Sequence, residues 1–145
     1  MIDLSYLDHP DLNTPVDFDI MISVNENDIN VQKRILSLGW DKKITSVRFI
    51  IGPNVVVSST LADKPALDIG IVPIKSNIQI VLHETAKIVG AKPGGTAFHT
   101  ICPITMFNYG TIEGGFDDVN PGLSIYGYSH INWISKGIII GSTKG

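Results

Sequence analysis

Ile104-Thr105-Met106-Phe107-Asn108-Tyr109-Gly110-Thr111-Ile112-Glu113-Gly114 decides the fold, because two other segments keep its internal spacing. Ile131-Asn132-Trp133 leads through Ser135-Lys136-Gly137 to Ile139-Ile140-Gly141. Ile80-Val81-Leu82 leads through Glu84-Thr85-Ala86 to Ile88-Val89-Gly90, with Ala at the turn glycine. A weaker copy runs from Val47-Arg48-Phe49 through Gly52-Pro53-Asn54 to Val55 and Val57. Corresponding positions lie 33, 24 and 27 residues apart, so the unit is kept while the period is loose.

The last three units are each preceded by a further short apolar segment: Ala66-Leu67-Asp68-Ile69, Ala97-Phe98-His99-Thr100 and Gly122-Leu123-Ser124-Ile125. That makes about three short strands per unit, joined by Gly, Pro and Asn turns, the size of one coil of a β-solenoid. No unit of this size buries its own apolar face, whereas stacked units share one core. The expected columns are Ile80, Ile104 and Ile131 in one and Ile88, Ile112 and Ile139 in another. Gly90, Gly110, Gly114, Gly137 and Gly141 are expected as turn glycines, and Gly94-Gly95 and Gly114-Gly115 as turns that need φ > 0. The fold class expected is all-β with one short α-helix, built of stacked short-strand repeats like a β-solenoid. A β-sandwich with similar hairpins is the alternative.

Working outward, Val16, Phe18, Ile20, Ile22 and Val24 alternate with Asp17, Asp19, Met21 and Ser23, the period of a half-buried strand over 16–24. A short helix over 29–39 follows. Asp28 or Asn30 is its cap, Val31, Ile35 and Leu38 its apolar face and Gly39 its stop, with Trp40 folding back over it. Residues 1–15, with Pro10 and Pro15 and no sustained period, read as an N-terminal arm. Residues 16–145 then form a single β domain, with the repeat units over 44–145.

Composition agrees with strands. The chain holds 23 Ile and 11 Val against 9 Leu, 5 Ala and 3 Glu, a balance that favours pleated structure over helix. At 145 residues and 43% apolar it can build one core. A net charge of -3 lacks the basic excess of a phosphate-backbone binder, so nucleic acid is not an expected partner. No stretch approaches the roughly 18 uninterrupted apolar residues of a membrane span, and Met1-Ile2-Asp3-Leu4 does not open like a signal peptide. A soluble protein with no membrane contact is expected.

The region from Asn30-Val31 through Gly39-Trp40, the strand Val47 to Thr60, Pro65-Ala66-Leu67, Ile80 and Ile88-Val89-Gly90 resembles the glycine-rich domain of bacteriophage tail fibres and tail-tip proteins. In that group a short helix ending in Gly-Trp precedes a Val-rich strand ending in Ser-Thr, a Pro-Ala-Leu segment and units of the type Ile-x-Ile-x-Asn-x-Gly-x-Ile-x-Gly. Phe107 to Gly115 is the nearest copy. The resemblance, over about residues 28 to 145, implies a structural, non-enzymatic virion protein, oligomeric and with other virion proteins as partners. One departure is clear. Long glycine-only runs between units are shortened here to Ala91-Lys92-Pro93-Gly94-Gly95 and Gly114-Gly115-Phe116-Asp117-Asp118.

No cofactor is implied. His9, His83, His99 and His130 show no metal-ligand spacing and read as surface or turn residues. Asp117, Asp118 and Asn120 stand near a glycine turn but lack the alternate spacing of a calcium loop. Cys102, between Ile101 and Pro103, reads as a small buried hydrophobe. A solenoid lyase or hydrolase would need acids on one face of successive coils, and only Glu84 and Glu113 approach this, with Asp68 apart. The aromatics Tyr109, Phe116, Tyr126, Tyr128 and Trp133 crowd the C-terminal third and are the expected interface. The function expected is a non-catalytic structural subunit of a phage particle that assembles with itself, as a trimer, or with other virion proteins. The alternative is a carbohydrate-binding adhesin tip that reads a host-surface glycan through these aromatics.

Overall fold

The computed structural model describes residues 9–145. The strands fall into three faces. The first holds β1 (Phe18–Ile22), β4 (Ser46–Ile51), β7 (Asn77–Leu82) and the leading halves of β10 (Ile104–Glu113) and β12 (Ile131–Ile140). The second holds β2 (Glu26–Asn27), β5 (Val56–Ser58), β8 (Lys87–Val89) and the trailing halves of β10 and β12. The third holds β3 (Ile29–Asn30), β6 (Leu67–Asp68), β9 (Phe98–His99), β11 (Ile125–Tyr126) and β13 (Thr143–Lys144). All these strand pairings are parallel. The chain is therefore a three-faced β-solenoid of about four turns, and the sandwich alternative falls.

Alternation along each strand sends one set of side chains inward. Phe49, Ile80 and Met106 on the first face, Val57, Ile88 and Ile112 on the second, and Leu67, Phe98 and Ile125 on the third are fully buried in one cluster. The second expected column is observed: Ile88 pairs with Ile112 and Ile112 with Ile139. The first needs correction. Ile104 pairs with Ile131, but Ile80 pairs with Met106, which puts Ile78 in line with Ile104. The cause is a corner of unequal length. Leu82 and Lys87 pair with Asn108 and Thr111, so the turn His83-Glu84-Thr85-Ala86 matches only Tyr109-Gly110 in the next rung. Identical sequence spacing therefore hid a shift of two residues.

Two of the expected turn glycines, Gly110 and Gly137, have a different role. Of the five, Gly141 alone has positive φ, at +118°, and of Gly94, Gly95, Gly114 and Gly115 only Gly94 does, at +72°. Gly110 lies inside β10 and Gly137 inside β12. A Cβ on Gly110 would sit 2.4 Å from the carbonyl oxygens of His83 and Ala86, and one on Gly137 would sit 2.3 Å from Gly110 O. Gly90 and Gly114 are likewise closed off by Gly95 O at 2.2 Å and Gly122 O at 2.0 Å. Here glycine is required because neighbouring rungs bring backbone against backbone.

The helix α1 runs Val31–Ser37, with Asn30 Oδ1 accepting from the Lys33 N–H at 3.0 Å and Gly39 left-handed at φ +98° after the last turn. Val31 and Ile35 are buried beside the first-rung residues Ile20, Ile22 and Ile29. Leu38 is exposed, because the helix ends before it. Trp40 packs in the same cluster and donates from Nε1 to Lys43 O at 2.8 Å. The first strand is shorter than 16–24, and Val24 is exposed.

Residues 1–8 of the expected arm lie outside the described residues. The rest is docked on the solenoid. A short turn at Pro10–Leu12 inserts Leu12 into an outward-facing apolar cluster of Ile50, Val81 and Phe107. Gln79 Nε2 donates to Asp11 O at 3.1 Å and Arg48 to Thr14 O at 2.5 Å. Burying Leu12 alone contributes about 1.5–3 kcal/mol.

Two glycine substitutions separate close approach from backbone conformation. Gly110→Ala should cost about 3 kcal/mol through overpacking, whereas Gly94→Ala, left-handed but with open space around it, should cost about 1 kcal/mol. Urea denaturation of both variants measures the difference, and equal losses would refute the assignment.

Candidate functional site

On the third face the alternation that buries Leu67, Phe98 and Ile125 turns the next residue of each strand outward. Register then puts Asp68, His99, Tyr126 and Lys144 in one line, one per rung. Asp68 Oδ1 lies 2.9 Å from His99 Nδ1 and accepts from the Gly70 N–H at 3.0 Å. The His99 ring stacks on Tyr126 with centroids 4.8 Å apart and planes 19° from parallel. Lys144 Nζ lies 5.7 Å from the centre of the Tyr126 ring. Each member of the line is thus held by its neighbour along the solenoid axis.

The loop between β5 and β6 builds a wall beside this line. Ala62, Asp63 and Pro65, with Thr96, enclose a groove of about 230 Å³ floored by Asp68, His99 and Tyr126. A second hollow, lined by Asp28, Asn30, Lys33, Lys64 and Pro65, meets it at Asp68. Asp28 itself is engaged: its carboxylate accepts from the hydroxyl and N–H of Thr60. The Thr60 hydroxyl bond, aided by the Thr60 N–H and nearby Lys64, holds its pKa below the ordinary value against a smaller effect of burial.

The five aromatics of the expected interface do not form one surface. Tyr109 packs half-buried against the cluster that holds Leu12. Phe116 sits in the turn bridged to Pro121. Tyr126 is in the third-face line. Tyr128 and Trp133, with ring centres 5.6 Å apart, pack against the end of the core, and Lys136 Nζ reaches the Tyr128 hydroxyl at 2.7 Å. Trp133 Nε1 is buried with no hydrogen-bond partner among the described residues. The turn glycines Gly90 and Gly114 instead join Gly94, Gly95, Gly115 and Gly122 at one tightly packed corner.

The remaining candidates are dispersed. Glu84 lies at a corner, Glu113 on the second face and Asp68 on the third. Asp117 Oδ1 closes its own turn by accepting from the N–H groups of Asn120 at 2.8 Å and Val119 at 3.2 Å, and those bonds lower its pKa. Cys102 is buried, its Sγ 3.4 Å from Gly70 O. Asp63 is a groove residue that sequence reading missed, since it stands in a loop outside the apolar pattern of the units. For Asp68 and His99 a signal existed: both directly follow an apolar residue at matched places in successive units.

The described residues thus form a three-faced parallel solenoid with a mixed polar groove on one flank. The chain matches the family described as Phage tail fibre adhesin Gp38 over residues 17–115, and it belongs to that family. The match runs from the first rung into the fourth, so Asp63, Asp68 and His99 fall inside it and Tyr126 outside. No curated protein and no solved structure matches the chain. Family membership makes the protein a component of a phage tail. No helix among the described residues is long and apolar enough to cross a membrane.

The lowered pKa of Asp28 predicts the sign of an acid effect. A carboxylate depressed in the folded state stabilises the fold above its unfolded value, and that contribution is lost as pH falls through the folded value. Urea midpoints should therefore drop between about pH 5 and pH 2, and Asp28→Asn should flatten part of that slope. An unchanged slope in the variant would remove Asp28 from the account.

Proposed function

We propose that the chain is a non-catalytic structural component of the phage tail that assembles through its last rung, with copies of itself or with other virion proteins. The observation that carries this reading is the outer edge of β12 and β13, which has no pairing partner among the described residues. Proteins guard such edges with short strands, charge, proline or bulges. β12 guards its edge only in part: its two halves, on the first and second faces, carry one charge at Lys136 and a bulge at Ile134, and Ile134 and Ile138 are exposed. The first rung differs, since α1 adds Val31 and Ile35 to its core residues. Tyr128, Trp133 and Lys136 stand at the open end and belong to the proposed interface. The separation of Glu84, Glu113 and Asp68 over different parts of the surface supports a role without catalysis.

Light scattering across a concentration series tests the reading. The wild-type chain should run above its 15.7 kDa monomer mass, a trimer being the expected order. Ile138→Lys, which puts a charge on an exposed position of the edge strand, should shift the mass towards monomer. A monomeric wild type at all concentrations would overturn self-assembly and leave the last rung to a different virion protein. The same mass in wild type and variant would move the interface away from β12.

A further inference from the structure

We propose that the third-face groove of Asp63, Asp68, His99 and Tyr126 is a saccharide site, taking one sugar ring through a neighbouring pair of its hydroxyl groups. This goes beyond assembly through the last rung and uses a different surface. At about 230 Å³ the groove is smaller than the roughly 300–1,000 Å³ of sites for drug-sized ligands, and it suits a single ring.

Its chemistry selects a neutral polyol. Asp63 makes no hydrogen bond or ion pair among the described residues, and Asp68 uses only Oδ1 internally. Both carboxylates are therefore open to accept from hydroxyl groups. His99 is tied through Nδ1 and keeps Nε2, and Thr96 adds a hydroxyl, so the same wall can also donate. Sugar hydroxyls donate and accept at once, which matches this mixture. An anion is disfavoured by the two carboxylates. A hard divalent cation takes 6–8 oxygen ligands, and the described residues hold no group of three or more His, Cys, Asp or Glu placed to bind a metal. Ala62 and Pro65 supply the apolar contact that ring C–H groups need, and Tyr126, with His99 stacked on it and Lys144 over its ring, lines the groove as a fixed wall.

The site is also preorganised. His99 is clamped between Asp68 and Tyr126, which stand on strands of the solenoid, so binding freezes few side chains.

The test is a titration of the full chain with methyl glycosides of glucose, galactose, mannose and N-acetylglucosamine. It is read by NMR on the His99 and Tyr126 ring signals, with His99 assigned by its loss in His99→Ala. At least one glycoside should shift both rings saturably with Kd on the order of 1 mM. Asp63→Asn, on an exposed loop where it leaves no internal bond broken, should weaken that binding at least about fivefold through loss of a charged acceptor. The solution mass should not change in either case, so failure here is separate from failure of assembly. Absence of shifts at tens of millimolar would overturn the proposal, as would unchanged affinity in Asp63→Asn. Methylammonium chloride producing the same shifts and displacing the sugar would assign the groove to a cation instead.

Discussion

Parallel pairing between rungs is the constraint on which this structure depends. Strands of two residues, such as β6 at Leu67–Asp68 and β9 at Phe98–His99, have no stability of their own. They persist because the backbone bonds to the rung before and the rung after: Leu67 N donates to Ala97 O at 2.9 Å, and Phe98 N to Ser124 O at 2.9 Å. In-register bonding obliges successive rungs to follow one contour on every face. Differences in chain length are therefore pushed to the corners. His83–Ala86 against Tyr109-Gly110 is one such difference, and the loop between Ser58 and Leu67, set against Asp28 alone in the first rung, is another. The second is what walls the third-face groove, so the groove is a by-product of the stacking rule.

The same rule governs both sides of each strand. Where a column of Leu67, Phe98 and Ile125 must face inward, Asp68, His99 and Tyr126 have no choice but to stand outward in a line. Neighbouring strands are about 4.8 Å apart, and the His99–Tyr126 ring separation is also 4.8 Å. Ring stacking here follows from backbone geometry and adds to it. The corner glycines obey the constraint from the other direction. Backbones meet so closely at Gly90, Gly114 and Gly115 that any side chain would force two rungs apart.

The two ends of the stack are not equivalent. At the first rung the helix brings Val31 and Ile35 into the core, and Arg34 pairs with Glu26 of β2. At the last rung Ile131, Trp133 and Ile139 close the core only in part, and the strand edge beyond them is open. The segment from His9 to Thr14 crosses the outside of the first face and ties rungs together through Arg48, Gln79 and Phe107. An apolar outer stripe of Ile50, Val81 and Phe107 would be a poor solvent face. Covered by Leu12, it becomes a second small core.

The sequence by itself determined the strand-rich class, the repeating unit and the helix with its glycine stop, while the choice of Asn30 over Asp28 as its cap came from the structure. The features read from sequence are local: they rest on alternation, on spacing of apolar residues and on the residue that ends a helix. The column of Ile88, Ile112 and Ile139 was legible because the spacing on both sides of it is conserved from unit to unit. Tertiary structure decided the rest. Ile80 moved to Met106 because corner length depends on what the adjacent rung does, which no single unit records. Gly110 and Gly137 looked like turn residues because glycine marks both turns and close contacts, and only packing tells the two apart. The docking of the arm was not legible, because Leu12 finds its partners, Ile50, Val81 and Phe107, far along the chain. Asp63 had no pattern to betray it, since it joins Asp68 and His99 only after the loop has been folded against the stacked strands.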